Sequence, residues 1–218
     1  EAGKTGALAI ASFGRMFAAK QDLGTEAALS VSPAISTHQA LIEMDYFSTV
    51  DDSPSEKQGA GATYLGVAAY TTAVVYQTIT IDKEQLRRSW TGLEKEDARK
   101  MLSDLVRSIV YKLPRGKAHG TAPYTYPLVV VAEEQNYRTA YDFETPVQAG
   151  KDGGFAANSI EKLAAQRAAA ANFDPNNFGS VTALSGTADS DLLAKFDLEP
   201  KPLDDFISTV VDWILTND

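Results

Sequence analysis

At 218 residues, 44% hydrophobic and 22% charged, the chain has enough apolar content for one sizeable folded unit with appendages. Its apolar runs, such as Leu128–Ala132, fall far short of the ~20 residues that cross a bilayer, which excludes a transmembrane helix. The lack of cysteine rules out disulfides and thiolate chemistry, and a net charge of −9 weighs against an open basic face for nucleic acid.

Ala7–Met16 reads as a strand with Leu8 and Ile10 on one face. Its apolar start after Lys4 is followed at once by Arg15 and Lys20 without a small-residue cleavage pattern, so a signal peptide is not expected. The chain begins at Glu1 and enters this pattern within a few residues, which reads as a cut from something longer. Cytoplasmic placement fits the absence of cysteine.

Ala28–Gln39 is extended in character, with Leu29, Val31 and Ile35 at even steps and Pro33 marking an edge or bulge. Leu41–Val50 and Thr63–Ile81 are strand-like on either side of a Ser/Pro/Gly-rich stretch, residues 51–61, predicting a long β-hairpin over 39–76. Two helices follow, Asp82–Trp90 and Leu93–Leu113; Thr91 and Glu94 have capping-box spacing and Pro114 stops the second.

Leu128–Ala132 is predicted as a strand central in a sheet, and Tyr137–Phe143 as another strand. Ala156–Ala171 is an alanine-rich helix, 172–190 is loop-like, and a last helix opens at Pro202 with Leu203, Ile207, Val210 and Ile214 as its stripe. No internal repeat is visible.

Chemistry-bearing motifs are sparse. There is no Gly-x-Ser-x-Gly elbow, Walker loop or dinucleotide fingerprint. Glu43, Asp45, Asp51 and Asp52 cluster in the hairpin and could hold Mg²⁺ for phosphodiester cleavage. Strand alternation separates neighbouring carboxylates, however, and acidic residues there also keep an exposed hairpin from pairing with strangers. Phe47, beside Tyr46 and Val50, is the best candidate to stack on a base; the plainer alternative packs it against Tyr64 and Leu65.

Several segments occur together in a telling order: Phe13-Gly14-Arg15-Met16, Ser36-Thr37-His38-Gln39, Asp45-Tyr46-Phe47-Ser48-Thr49-Val50-Asp51-Asp52, Leu65-Gly66, Pro114-Arg115-Gly116-Lys117 and Lys151-Asp152-Gly153. In these the chain resembles the CasC family, the CRISPR RNA-binding backbone subunit of type I-E Cascade. The likeness weakens after about Arg167.

The resemblance implies an α+β fold with a palm like the RNA-recognition motif (ferredoxin-like), incomplete at its N-terminus, carrying the hairpin as a thumb. Residues 1–38 would be palm strands and the end of a finger region, 39–76 the thumb, and 77–218 palm with C-terminal helices. The implied function is to coat guide RNA without catalysis or cofactor. Copies of the chain and other Cascade subunits would be partners, and target DNA would pair with the guide.

By the same resemblance Arg15, Met16, His38, Phe47, Leu65, Lys117 and Lys151 are the expected RNA-binding residues. Arg15, Lys117 and Lys151 would meet phosphates, Met16, Phe47 and Leu65 would wedge beside a displaced base, and His38 would act as a polar hinge contact. The alternatives are a metal-dependent RNA endonuclease using the hairpin carboxylates and a protein–protein module without nucleic acid, which the acidic charge suits.

Overall fold

The computed structural model describes residues 3–19, 23–49, 64–111, 120 and 124–216. The first half of the chain runs α1 (Leu8–Phe13), β1 (Leu29–Val31), β2 (Ile35–Ser36), β3 (Ile42–Thr49), β4 (Tyr64–Thr71), β5 (Val75–Tyr76), β6 (Ile79–Ile81) and α2 (Lys83–Ser89). The second half runs α3 (Ala98–Tyr111), β7 (Val130–Gln135), α4 (Ala156–Phe173), β8 (Phe178–Ser185), α5 (Ser190–Leu193) and α6 (Leu203–Leu215). Helix and strand are mixed along the chain. Among the described residues strands pair two by two, always antiparallel: β1 with β6, β2 with β5, β3 with β4, β7 with β8.

The β7–β8 ribbon organises the core because side chains alternate across it. On one face Val130, Ala132 and Ala183 join Leu102 and Val106 of α3 and Phe206, Ile207, Val211 and Ile214 of α6. On the other, Val129, Val131 and Leu184 join Ile160 and Ala164 of α4, with Leu193 and Phe196. A strand covered on both faces needs apolar residues at consecutive positions. That explains Val129–Ala132, Leu128 being exposed, but the cover is helical: the ribbon is central to the core, not to a sheet.

Helices α3 and α6 run antiparallel. Arg99 near the start of α3 meets Asp212 near the end of α6 at 2.6 Å, and Arg107 meets Asp204 at the other end. These exposed pairs add little energy; the apolar seam beneath them holds the helices. Arg87 of α2 donates to the carbonyls of Ile214 (2.8 Å) and Thr216 (2.6 Å), supplying donors to the open end of α6.

Four expectations from the sequence are corrected here. The segment taken for a strand at Ala7–Met16 is a short helix, because Leu8, Ala11 and Ser12, at helical spacing, are the buried positions. Helix α3 begins at Ala98 and not at Leu93. The Thr91 hydroxyl donates to the Thr5 carbonyl (3.3 Å) instead of capping, and the Trp90 indole lies so close over Gly92 that a Cβ there would fall 2.5 Å from it.

The third correction concerns Tyr137–Phe143, which is irregular. Side chains take its backbone donors: Thr139 N–H goes to Gln135 Oε1 (2.9 Å), Tyr141 N–H to Tyr76 Oη (3.0 Å) and Asp142 N–H to Gln166 Oε1 (2.6 Å). Fourth, the stretch read as loop at 172–190 contains β8, whose small and polar residues disguise a strand. A bulge between Glu133 and Gln135 lets Glu134 accept from Trp213 Nε1 (2.9 Å) and Val181 N–H (3.3 Å). Gly179 leaves room for that carboxylate, since a Cβ there would lie 2.1 Å from it.

Candidate nucleic-acid interface

The two arms 29–49 and 64–81 stay paired from the Leu29–Ile81 rung outward. Below Gln39 and Tyr76 the pairing continues through β2–β5 and β1–β6. Beyond them β3 and β4 form a hairpin whose register sets Phe47 opposite Gly66 and Ser48 opposite Leu65.

Opposed residues share a face and neighbours do not. One face therefore holds Glu43, Asp45, Phe47, Gly66, Ala68 and Tyr70. The other holds Ile42, Met44, Tyr46, Ser48, Leu65 and Val67.

Phe47 packs across the glycine, not against Leu65. A Cβ at position 66 would lie 2.3 Å from the Phe47 ring, so only glycine admits the ring in this position. The ring remains 46% exposed. Leu65, 67% exposed, stands on the opposite face with Met44, Tyr46 and Val67, all exposed. The two expected wedge residues thus present to different sides of the hairpin.

Glu43 and Asp45, two positions apart, share the face of Phe47, whereas Asp51 and Asp52 lie outside the described residues. Among the described residues no three His, Asp or Glu side chains gather as a metal site would require.

Arg15 and Met16 follow α1 in a loop tied to the rest of the chain by backbone hydrogen bonds exchanged between Arg15 and Thr25 (2.9 and 2.8 Å). Gly14 makes the turn with φ +77°, and a Cβ there would sit 2.9 Å from the Thr25 carbonyl. Met16 is 90% exposed, so it is no core methionine. The Arg15 guanidinium lies 4.5 Å from the Phe17 ring centroid.

Phe17, with exposed Phe13 before the turn, makes this loop aromatic as well as basic. Neither was singled out from the sequence, although two phenylalanines flanking Gly14-Arg15-Met16 were legible there.

Matching over residues 1–213 is a family model described as CT1975-like protein. The chain belongs to this family of Cas proteins. Two solved chains share its fold. One, titled "CRISPR RNA-guided surveillance complex, pre-nicking", is 20% identical with a TM-score of 0.80, covering 96% of this chain and 56% of that one. The other, titled "CRISPR RNA-guided surveillance complex", is 21% identical with a TM-score of 0.74, covering 94% of this chain and 78% of that one. This Cas-family chain thus spans little more than half the length of the first. None of the curated proteins matches it.

The remaining expected residues are scattered over the Cas-family chain. Lys151 is exposed in a tight turn closed by Gly153 N–H to Gly150 O (3.0 Å) and Gly150 N–H to Gly154 O (2.8 Å), with positive φ at Gly153 and Gly154. Lys117 lies outside the described residues.

His38 is only 6% exposed. Its Nε2 accepts from Val74 N–H (3.1 Å) and its Nδ1 faces the Gln39 carbonyl (2.8 Å), so both ring nitrogens are engaged within the protein. Arg15 and Phe47 are not brought together within one chain: Arg15 is anchored before the first rung of the ribbon and Phe47 lies toward its far end. Among the described residues no helix is long and apolar enough to cross a membrane.

Proposed function

We propose that this chain is a guide-RNA-binding backbone subunit of a CRISPR surveillance complex, of the type I-E Cascade kind that its sequence resembles. In this reading the helix-covered body is an RNA-recognition-motif-like palm and β3–β4 is its thumb. The fold shared with chains of CRISPR RNA-guided surveillance complexes supports it.

The observation that carries the reading is the hairpin itself. Its strands pair only with each other among the described residues, and it holds an aromatic ring half-exposed over a glycine made for it. A ring so held can slide under or beside a base, where stacking is worth about 1–3 kcal/mol.

Phe47 is proposed as the wedge and Leu65 as an apolar contact on the other side of the same thumb. Arg15, Lys117 and Lys151 are proposed to meet phosphates, with Met16 filling the space beside the displaced base. The separation of Arg15 from Phe47 suits copies arranged in series, each thumb reaching the Arg15 loop of the next copy. Bases between thumbs would then be free for target DNA. The role is scaffolding, not catalysis.

The test is to express the full-length protein with a CRISPR array and measure its assembly mass and RNA content. A large assembly holding intact guide is expected. With Phe47→Ala the RNA should lose its periodic displaced bases in chemical footprinting while the fold is kept. An RNA-free monomer would overturn the reading in favour of an interaction module, and guide cut at regular intervals would favour the endonuclease.

A further inference from the structure

The arms of the ribbon change register just below the hairpin. Between the Ser36–Val75 and Ile42–Thr71 rungs, residues 37–41 on one arm face residues 72–74 on the other. Unequal arms bend and weaken a ladder at that point. Because β3 and β4 pair with no third strand among the described residues, the direction of the hairpin is decided at this bend.

The bend is tied to the body by a compact knot. Thr37 N–H donates to the Val74 carbonyl (2.9 Å), the Thr37 carbonyl accepts from Val147 N–H (2.9 Å), and the Thr37 hydroxyl meets the buried Ser159 hydroxyl of α4 (2.7 Å). The imidazole of His38 stacks on Phe155 at the start of α4, with ring centroids 3.7 Å apart and planes within 9°.

A backbone N–H can only donate, so the 3.1 Å bond from Val74 N–H requires an unprotonated Nε2. The ring proton is then on Nδ1, donated to the Gln39 carbonyl at 2.8 Å. In this tautomer His38 joins both arms of the bend to α4.

We infer that His38 is a positioning residue: its Nδ1–H tautomer, joined to both arms of the bend and stacked on Phe155, sets the angle of the hairpin against the body. A protonated ring would set two donors, Nε2–H and Val74 N–H, head to head in a buried place.

The hydrogen-bond and stacking partners of the ring among the described residues, Gln39, Val74 and Phe155, are uncharged. The charged groups on the surrounding elements are Glu43 and Asp45 on β3, Glu144 before Val147, Lys151 and Asp152 ahead of Phe155, and Glu161, Lys162 and Arg167 on α4, the last paired with Glu133. Glu161 faces Lys195 and Lys162 donates to the Thr145 carbonyl. The consequence for guide binding rests on the function proposed above; the pin itself does not.

The absence of cysteine from this sequence permits a direct test by site-directed labelling. Spin labels at Ser48→Cys on the hairpin and Glu199→Cys on the body, next to Leu198 packed against the α4 cluster, report the hairpin's distance from the body. One narrow distance is expected in the wild type.

His38→Gln keeps an acceptor for Val74 and should stay narrow; His38→Ala should be broad, with helix content unchanged. A narrow distance in His38→Ala, or a broad one in the wild type, overturns the inference. Guide binding measured in parallel separates the two claims. A distance that His38→Ala broadens in a protein binding no guide overturns the proposed function and keeps the pin; guide binding with a distance that ignores His38→Ala does the reverse.

Discussion

Two antiparallel ribbons in this molecule have the same backbone and opposite circumstances. The β7–β8 ribbon is covered by α3 and α6 on one face and by α4 and its neighbours on the other. The β3–β4 hairpin bears exposed large side chains on both faces: Phe47 and Tyr70 on one, Ile42, Met44, Tyr46, Leu65 and Val67 on the other. Apolar residues on the first are buried in the core; on the second many stay exposed. An exposed apolar face of that extent is a feature of binding surfaces more than of isolated folds.

Substitutions on the two ribbons should separate stability from binding. The largest stability loss is expected in the helical cover of the first ribbon, on α6. Phe206→Ala removes a ring that is 3% exposed and should cost about 3–5 kcal/mol, read as a drop in melting temperature on the order of 10 °C.

A smaller effect is expected at Tyr141, whose hydroxyl donates to Glu133 Oε2 at 2.7 Å beside the Arg167–Glu133 pair at 2.6 Å. Tyr141→Phe should cost about 1–2 kcal/mol at neutral pH, measured by urea unfolding. The variant also tests a pH effect. Burial first, then the Glu133 hydrogen bond and charge, hold the Tyr141 phenol above its ordinary value of 10.0. The unfolded chain releases that proton near its ordinary value while the folded protein keeps it. Its contribution is therefore complete below about pH 10 and declines above, and the decline should be shallower in Tyr141→Phe.

The smallest stability change is expected at the hairpin. Gly66→Ala places a Cβ 2.3 Å from the Phe47 ring, and the half-exposed ring can swing aside, so melting should move by no more than about 0.5 kcal/mol equivalent. Base displacement in the guide should nonetheless be lost as in Phe47→Ala. A large melting shift here would mean that the hairpin is part of the core and would dissolve the contrast between the ribbons.

The sequence carried much of this, unevenly. The hairpin arms, α2, α4 and α6 were legible because their apolar spacing repeats within a few residues, and Asp82 caps α2 at Gln85 N–H (2.8 Å) as such a residue should. α1 was misread because its alanines satisfy a strand pattern and a helix pattern equally. β8 was missed because Phe178-Gly179-Ser180-Val181-Thr182 lacks the apolar weight of a buried strand and borrows it from β7.

At the candidate interface, the residue types and their order were readable. Their mutual arrangement was not: that Phe47 lies over Gly66 and turns away from Leu65 follows from register, which one residue of slip would reverse.

What the sequence determined by itself is therefore local: which segments are helix or strand where the pattern is unambiguous, the Cas-family motifs, and the absence of thiol chemistry. Tertiary structure alone decided three things. It set which faces of two similar ribbons are covered, assigned His38 to Phe155 and Val74 instead of to solvent, and took the backbone donors of 139–142 out of any sheet. Each depends on groups far apart in the chain, whose pairing is settled by packing and by the cost of leaving a buried polar atom unpaired, neither of which a local window of sequence contains.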